Sequence, residues 1–187
     1  CFNIDGTLRS WGEQGDGPGL RILSILEIWD QLSEDAKSTA RKILVRDRQY
    51  IIDNYDSDTD NAWEEISGKS FFSRTAQRQA IDKLEKTSSQ TGVDPEEKTP
   101  AIIGALTALL EEHWASDLGH YRSILDGKAK NGALRGHELN IDIVFACTYN
   151  GLPCFDERML ATVAKLRDKF EKLYPINEQD RALDIGP

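Results

Sequence analysis

The strongest constraint on the fold is a change of hydrophobic pattern between two neighbouring stretches of chain. Pro18 stands where the first turn of a helix tolerates a missing N–H, and Leu20, Ile22, Leu23, Ile25, Leu26, Ile28, Trp29 and Leu32 follow it. A helix apolar nearly all round belongs inside a structure. From about Asp35 to Tyr55 the pattern turns amphipathic, with Ala36, Ala40, Ile43, Leu44, Ile51 and Ile52 interleaved with Lys37, Arg41, Arg46 and Arg48. An inward helix followed by a surface helix is the unit of an antiparallel helical bundle or toroid. The chain lacks the repeat identity of a TPR or HEAT array.

Further helices follow from the same reasoning. One is expected after Phe72, carrying Ala76, Ala80, Ile81 and Leu84 and ending before the polar stretch from Thr87 to Gly92. Thr99-Pro100 reads as an N-cap and an N1 proline, leading into Ile102, Ile103, Leu106, Leu109, Leu110 and Trp114. Residues 115 to 137, with the alternating run from His120 to Leu125, read as loop or small hairpin. Between Leu139 and Cys147 the alternation of Leu139, Ile141, Ile143 and Phe145 leans to a strand, although the length also permits a short buried helix. Asp156 can cap a last helix with Met159, Leu160, Val163, Leu166, Phe170 and Leu173 on one face, stopped by Pro175. The expected class is all-α.

Charge and composition remove several classes of function. With 32 acidic and 23 basic residues the net charge is −9, the wrong sign for counterion-driven nucleic-acid binding over most of the surface. No apolar run approaches the ~20 residues that cross a bilayer. Cys1, Cys147 and Cys154 match no zinc spacing and are too few for a disulfide scaffold, though Cys147 and Cys154 could form a bridge. The chain opens on Cys-Phe-Asn with neither a basic n-region nor an apolar h-region, so residue 1 reads as an internal position of a longer polypeptide.

The densest chemistry lies in Asp60-Asn61-Ala62-Trp63-Glu64-Glu65-Ile66, followed by Phe71-Phe72, in an Asp-rich segment read as irregular. Glycoside hydrolysis needs a carboxylic acid on the leaving oxygen and a second carboxylate facing it across the bond, ~5 to 9.5 Å away. Glu64 and Glu65 cannot be that pair, because neighbouring side chains on a looped segment point apart. One of them could be the acid, with Trp63 excluding water from it, while the other contacts sugar hydroxyls. Composition alone favours the bland reading, a solvated acidic surface. Asp56, Asp58 and Asp60 resemble the start of an EF-hand loop, but the glycine and the bidentate glutamate that the loop requires are replaced by Asn61 and Ser67. That segment therefore reads as a solvated acidic loop. His113, His120 and His137 have no ligand spacing and read as surface or hydrogen-bonded structural residues, while Trp29 and Trp114 read as core. Trp11, in a glycine-rich loop, could stack on a sugar ring or tuck onto the core.

Taken in order, several motifs resemble glycoside hydrolase family 15, the glucoamylase family, and most of all its bacterial members. They are Phe2-Asn3-Ile4-Asp5-Gly6-Thr7, Trp11-Gly12 running through Gln14 to Asp16-Gly17-Pro18, Trp63-Glu64-Glu65 with Ser70-Phe71-Phe72, His120-Tyr121, and Leu173-Tyr174-Pro175-Ile176-Asn177. The resemblance implies part of an (α/α)6 barrel and inverting hydrolysis that releases glucose from the ends of α-glucans, with no cofactor. By position it makes Glu64 the general acid, Glu65 a substrate-binding carboxylate, and Trp63 and Trp11 walls of the glucose pocket. It also implies a secreted or periplasmic location.

The departures from that pattern carry expectations of their own. The loops flanking Trp11 are shorter than in typical members, and Glu13 stands where they place Arg-Pro. Asn61 and Ala62 replace an Asp-Leu pair, removing a charge near the proposed acid. The chain offers about half the helices of a six-hairpin barrel, and no residue in it matches the family's general base. It is therefore read as one partial catalytic domain over residues 1–187, truncated at both ends and inactive without the rest of the catalytic domain as its partner. The alternative is a truncated non-catalytic homologue acting as a carbohydrate-binding or protein-interaction module.

Overall fold

The computed structural model describes residues 14–129, 138–150 and 154–174, together with Asp5 and Thr7. Its frame is helical. Helix α1 (Asp16–Glu27) begins with an acidic residue in the positive first turn and is followed by a 3₁₀ turn, Trp29–Gln31. Helix α2 (Glu34–Asn54) is capped by Ser33, whose side chain accepts from the Ala36 N–H at 3.3 Å. Its buried residues Ala40, Leu44, Asp47, Arg48, Ile51 and Ile52 recur every three or four positions and so line one face.

Helix α3 (Phe71–Lys86) is the central element. Every residue from Phe71 to Gln77 is buried, and α1, α5 and α6 all pack on it. Gly19 permits the close approach of α1: a Cβ there would lie 2.9 Å from the backbone carbonyl carbon and oxygen of Ala76. Helix α4 (Ser88–Thr91) is a single turn ended by Gly92 at φ +68. One core cluster joins Ile22, Trp29, Leu44, Ile51, Ile81 and Leu106 at the α1–α2–α3–α5 junction. The expectation that α1 is buried all round holds only in part. Gly19 and Ile22 are buried, whereas Leu23, Ile25 and Leu26 are half-buried against the core.

Helix α5 (Thr99–Glu111) starts one residue earlier than the sequence suggested. Lys98 occupies the N-cap position without a side-chain cap, and the Thr99 hydroxyl is buried without a partner. The strand leaning of 139–147 is also overturned, since Asp142–Asn150 forms helix α6. Ile143, Ala146 and Cys147, spaced i, i+3, i+4, pack with Phe71, Leu110 and Met159 in a second cluster. Burial at helical spacing outweighs the local alternation. Helix α7 (Glu157–Leu173) begins where expected, the Asp156 carboxylate accepting from the Arg158 and Met159 N–H groups at 2.7 and 3.2 Å. Its buried positions are Met159, Thr162 and Leu166. Leu160, Val163 and Leu173, expected on the inward face, are exposed. Pro175 and His137 lie outside the described residues.

The Asp-rich segment read as irregular is a β-hairpin. Strands β1 (Thr59–Asp60) and β2 (Ile66–Ser70) pair antiparallel, and β5 (Ile124–Ala129) adds to the other edge of β2 with a register shift between Ser67 and Lys69. Gly68 is required there, because a Cβ would sit 2.6 Å from the Leu125 carbonyl oxygen. A second hairpin joins β3 (Trp114–Ala115) to β4 (His120–Tyr121). Asp56 and Asp58 are ion-paired: Arg74 Nη2 lies 3.1 Å from Asp56, and Lys69 Nζ lies 3.5 Å from Asp56 and 3.2 Å from Asp58.

Arg74 also anchors His113, with Nη1 3.0 Å from Nε2, while His113 Nδ1 lies 2.8 Å from the Arg122 carbonyl oxygen. The carbonyl can only accept, so Nδ1 carries the proton and Nε2 accepts from Arg74. Burial, with the Arg74 charge as a lesser cause, pushes the His113 pKa down to about 4.

Candidate active site

The turn between β1 and β2 carries the sequence-predicted residues, and Asn61 builds it. The Asn61 N–H donates to the Ile66 carbonyl at 2.8 Å and its own carbonyl accepts from Glu64 N–H at 2.9 Å. Its side-chain Oδ1 accepts from both Glu65 N–H, at 2.9 Å, and Ile66 N–H, at 3.2 Å. Asn61 is 2% exposed. A short polar side chain that takes up two turn N–H groups is a standard way to fold a tight connection. What looked like a lost charge is thus a turn-forming residue, and an amide oxygen suffices for it.

This turn holds Glu64 at φ 59, a left-handed conformation that costs a non-glycine residue about 1 kcal/mol or more. Glu64 is half-buried and Glu65 exposed, and the two neighbours do not share an environment. Trp63 is 46% exposed, so much of its indole is open to solvent. Its Nε1–H donates to Asn140 Oδ1 at 3.1 Å, and its ring lies 6.4 Å from that of Phe145, which in turn meets Phe72 edge-on at 6.4 Å. The Trp63 indole is therefore linked to Phe72 through Phe145, which lies between them. Phe71 is buried instead against His113 and Tyr121.

The loop before α1 reaches the same place. Gln14 Nε2 donates to Glu64 Oε1 at 2.5 Å. That loop is clamped at Gly15, whose N–H donates to Thr59 Oγ1 at 2.6 Å and whose carbonyl accepts from the buried Gln77 at 2.8 Å. Strand β1 and helix α3 thus set where Gln14 points. Asp16, in the first turn of α1, is near enough to feel Glu64: its carboxyl is held above its ordinary range, chiefly by burial, with the Glu64 charge adding to the effect. Trp11, the other expected pocket wall, lies outside the described residues. Among the described residues no group of three or more His, Cys, Asp and Glu is placed to hold a metal ion, and no helix is long and apolar enough to cross a membrane.

Sequence reasoning missed Asn140, and it took Gln14 only as part of a motif. Neither carries a local signal, since each acts across a sequence separation of 50 residues or more: 50 for Gln14 to Glu64 and 77 for Asn140 to Trp63.

Residues 4–185 match the family model described as "Glycosyl hydrolases family 15". The chain belongs to that family. It is 24% identical over 186 residues to a probable glucoamylase of Schizosaccharomyces pombe, covering 95% of this chain and 40% of that protein. It is 34% identical over 97 residues to the intracellular sporulation-specific glucoamylase of Saccharomyces cerevisiae, covering 44% of this chain and 18% of that protein. In three dimensions it resembles the glucoamylase of Hormoconis resinae with a TM-score of 0.69 at 22% identity, covering 94% of this chain and 32% of that one. The family 15 chain therefore spans 40% or less of these relatives' lengths, and its helices form part of an (α/α)6 barrel.

Proposed function

We propose that the protein is a glucoamylase-type hydrolase that removes terminal glucose from α-glucans, with Glu64 as the general acid. The observation that carries this reading is the convergence of two separate elements, the β1–β2 turn and the loop before α1, on one glutamate. The Asn61 turn fixes the Glu64 backbone, Gln14 holds its side chain, and Trp63 beside it offers an open aromatic face. A protonated Glu64 would deliver its proton to the glycosidic oxygen as the bond to C1 breaks, and water would attack from the opposite face under a second carboxylate, inverting the anomeric centre. Glu65, exposed on the same turn, fits contact with sugar hydroxyls. Trp63, and Trp11 by family position, fit stacking against the apolar face of the ring. The chain is one part of a catalytic domain in this reading, and the remainder supplies the base.

The test is Glu64→Gln in the protein expressed from its complete reading frame, with glucose release from maltotriose as readout. Loss of a general acid lowers kcat by about 10²- to 10⁴-fold, with binding retained. Activity within tenfold of the parent overturns the assignment. Saturable oligosaccharide binding with no hydrolysis in the parent itself would mark the protein as a carbohydrate-binding module.

A further inference from the structure

We infer that Asn140 is a positioning residue for the sugar site: it fixes the Trp63 indole so that the open face is presented at the turn carrying Glu64. The inference rests on the reading above, in which Trp63 meets the substrate. A half-exposed tryptophan on a tight turn has few neighbours to hold it, and rotation about its side-chain bonds would move the ring away from the acid. Two groups restrain it here. Phe145 meets the ring at 6.4 Å with the planes tilted by 56°, an apolar contact without the directionality of a hydrogen bond. Asn140 supplies the directional restraint, Oδ1 accepting the indole Nε1–H at 3.1 Å.

The acceptor is itself fixed. Asn140 Oδ1 also takes the N–H of Ile141 at 2.7 Å, which ties the side chain to the backbone immediately ahead of α6. Asp142 then starts that helix while accepting from Ser123 Oγ at 2.7 Å, next to β5 and hence to the sheet that carries the turn. Trp63 and its acceptor are therefore built on one connected frame, although they lie far apart in sequence. An indole N–H can only donate, and the Asn140 side-chain oxygen is its acceptor.

The experiment compares Asn140→Leu, which removes the acceptor, with Asn140→Asp, which keeps it, in the complete protein turning over maltotriose. The expected result for Asn140→Leu is a KM raised about three- to tenfold with kcat changed less than twofold, the effect of one neutral hydrogen bond. Asn140→Asp should restore KM to within about twofold of the parent. Should Asn140→Leu not fold, Trp63→Phe deletes the donor instead and should raise KM similarly, with Asn140→Asp on that background giving no further change. An unchanged KM in Asn140→Leu, an equal fall of kcat in both Asn140 variants, or Asn140→Asp no better than Asn140→Leu overturns the inference. Glu64→Gln run alongside separates the two levels. If it abolishes turnover while Asn140→Leu does nothing, only the Asn140 role fails; if it leaves turnover intact, the site itself is wrong.

Discussion

Replacing Asn61 by alanine should loosen the turn that presents Glu64, and the cost can be worked from its bonds. Two N–H groups lose their acceptor. That of Ile66, a residue 1% exposed, is left buried and unpaired, which costs about 1–3 kcal/mol. That of Glu65 sits at an exposed residue where water can replace the lost partner, so its loss costs about 0.5–1 kcal/mol. The left-handed Glu64 backbone then loses its support, and the two lost bonds together cost about 1.5–4 kcal/mol. Asn61→Asp keeps an acceptor in the same place and should recover at least half of this, although the carboxylate joins Asp60 and Glu64 in a crowded acidic turn. Urea unfolding gives the two differences, provided the slope of free energy against urea stays that of the parent. Hydrogen exchange at the Glu65 and Ile66 amides should show the loosening confined to the hairpin. An alanine variant within about 0.5 kcal/mol of the parent, or an aspartate variant no better than alanine, would refute the account of the turn.

Gly19→Ala should destabilise the protein by about 1–3 kcal/mol, because its Cβ would meet the Ala76 backbone at 2.9 Å and α1 would have to move off α3; a thermal midpoint equal to the parent's would contradict this. Acid stability should depend on His113. In the unfolded chain it titrates near 6.5 and in the folded protein at about 4, so between these values the unfolded state binds more protons. Its contribution is complete above pH 6.5 and falls by about 3 kcal/mol as the pH drops to 4. In His113→Asn, urea unfolding across that window should be flatter than in the parent, and an unchanged slope would show that another group is responsible.

How far the sequence reaches differs by element. Helix α7 was legible because its cap lies next to the periodic run, as Asp156 shows, whereas α2 was legible from its amphipathic period alone, and its Ser33 cap is apparent only in the structure. The β1–β2 hairpin was not. Strand β1 is two residues long, and β2 is held largely by β5, whose residues are remote in sequence, so no local alternation marks it. The segment that became α6 carried a misleading local alternation, and only the position of Phe71, Leu110 and Met159 decides for a helix. Among the site residues, Trp63, Glu64 and Glu65 were visible as a motif. The meaning of Asn61 was not, because a loss of charge is apparent in sequence whereas two accepted N–H bonds are apparent only in the folded turn.

The contacts that place Glu64 also explain why such a turn can keep a strained residue. Residues 62–65 have little room to store order of their own, and the left-handed conformation at Glu64 would relax if it depended on the turn alone. It is held instead from three sides: by Asn61 within the hairpin, by Gln14 on a loop pinned to Thr59 and Gln77, and by Asn140 through Trp63. These supports stand on β1, α3 and the start of α6, and α3 packs against both α1 and α6. A substitution that moves α1 off α3, such as Gly19→Ala, should therefore reach the site through the Gln77–Gly15 bond without touching any residue of the turn. The geometry at Glu64 is thereby tied to the packing of the helical frame.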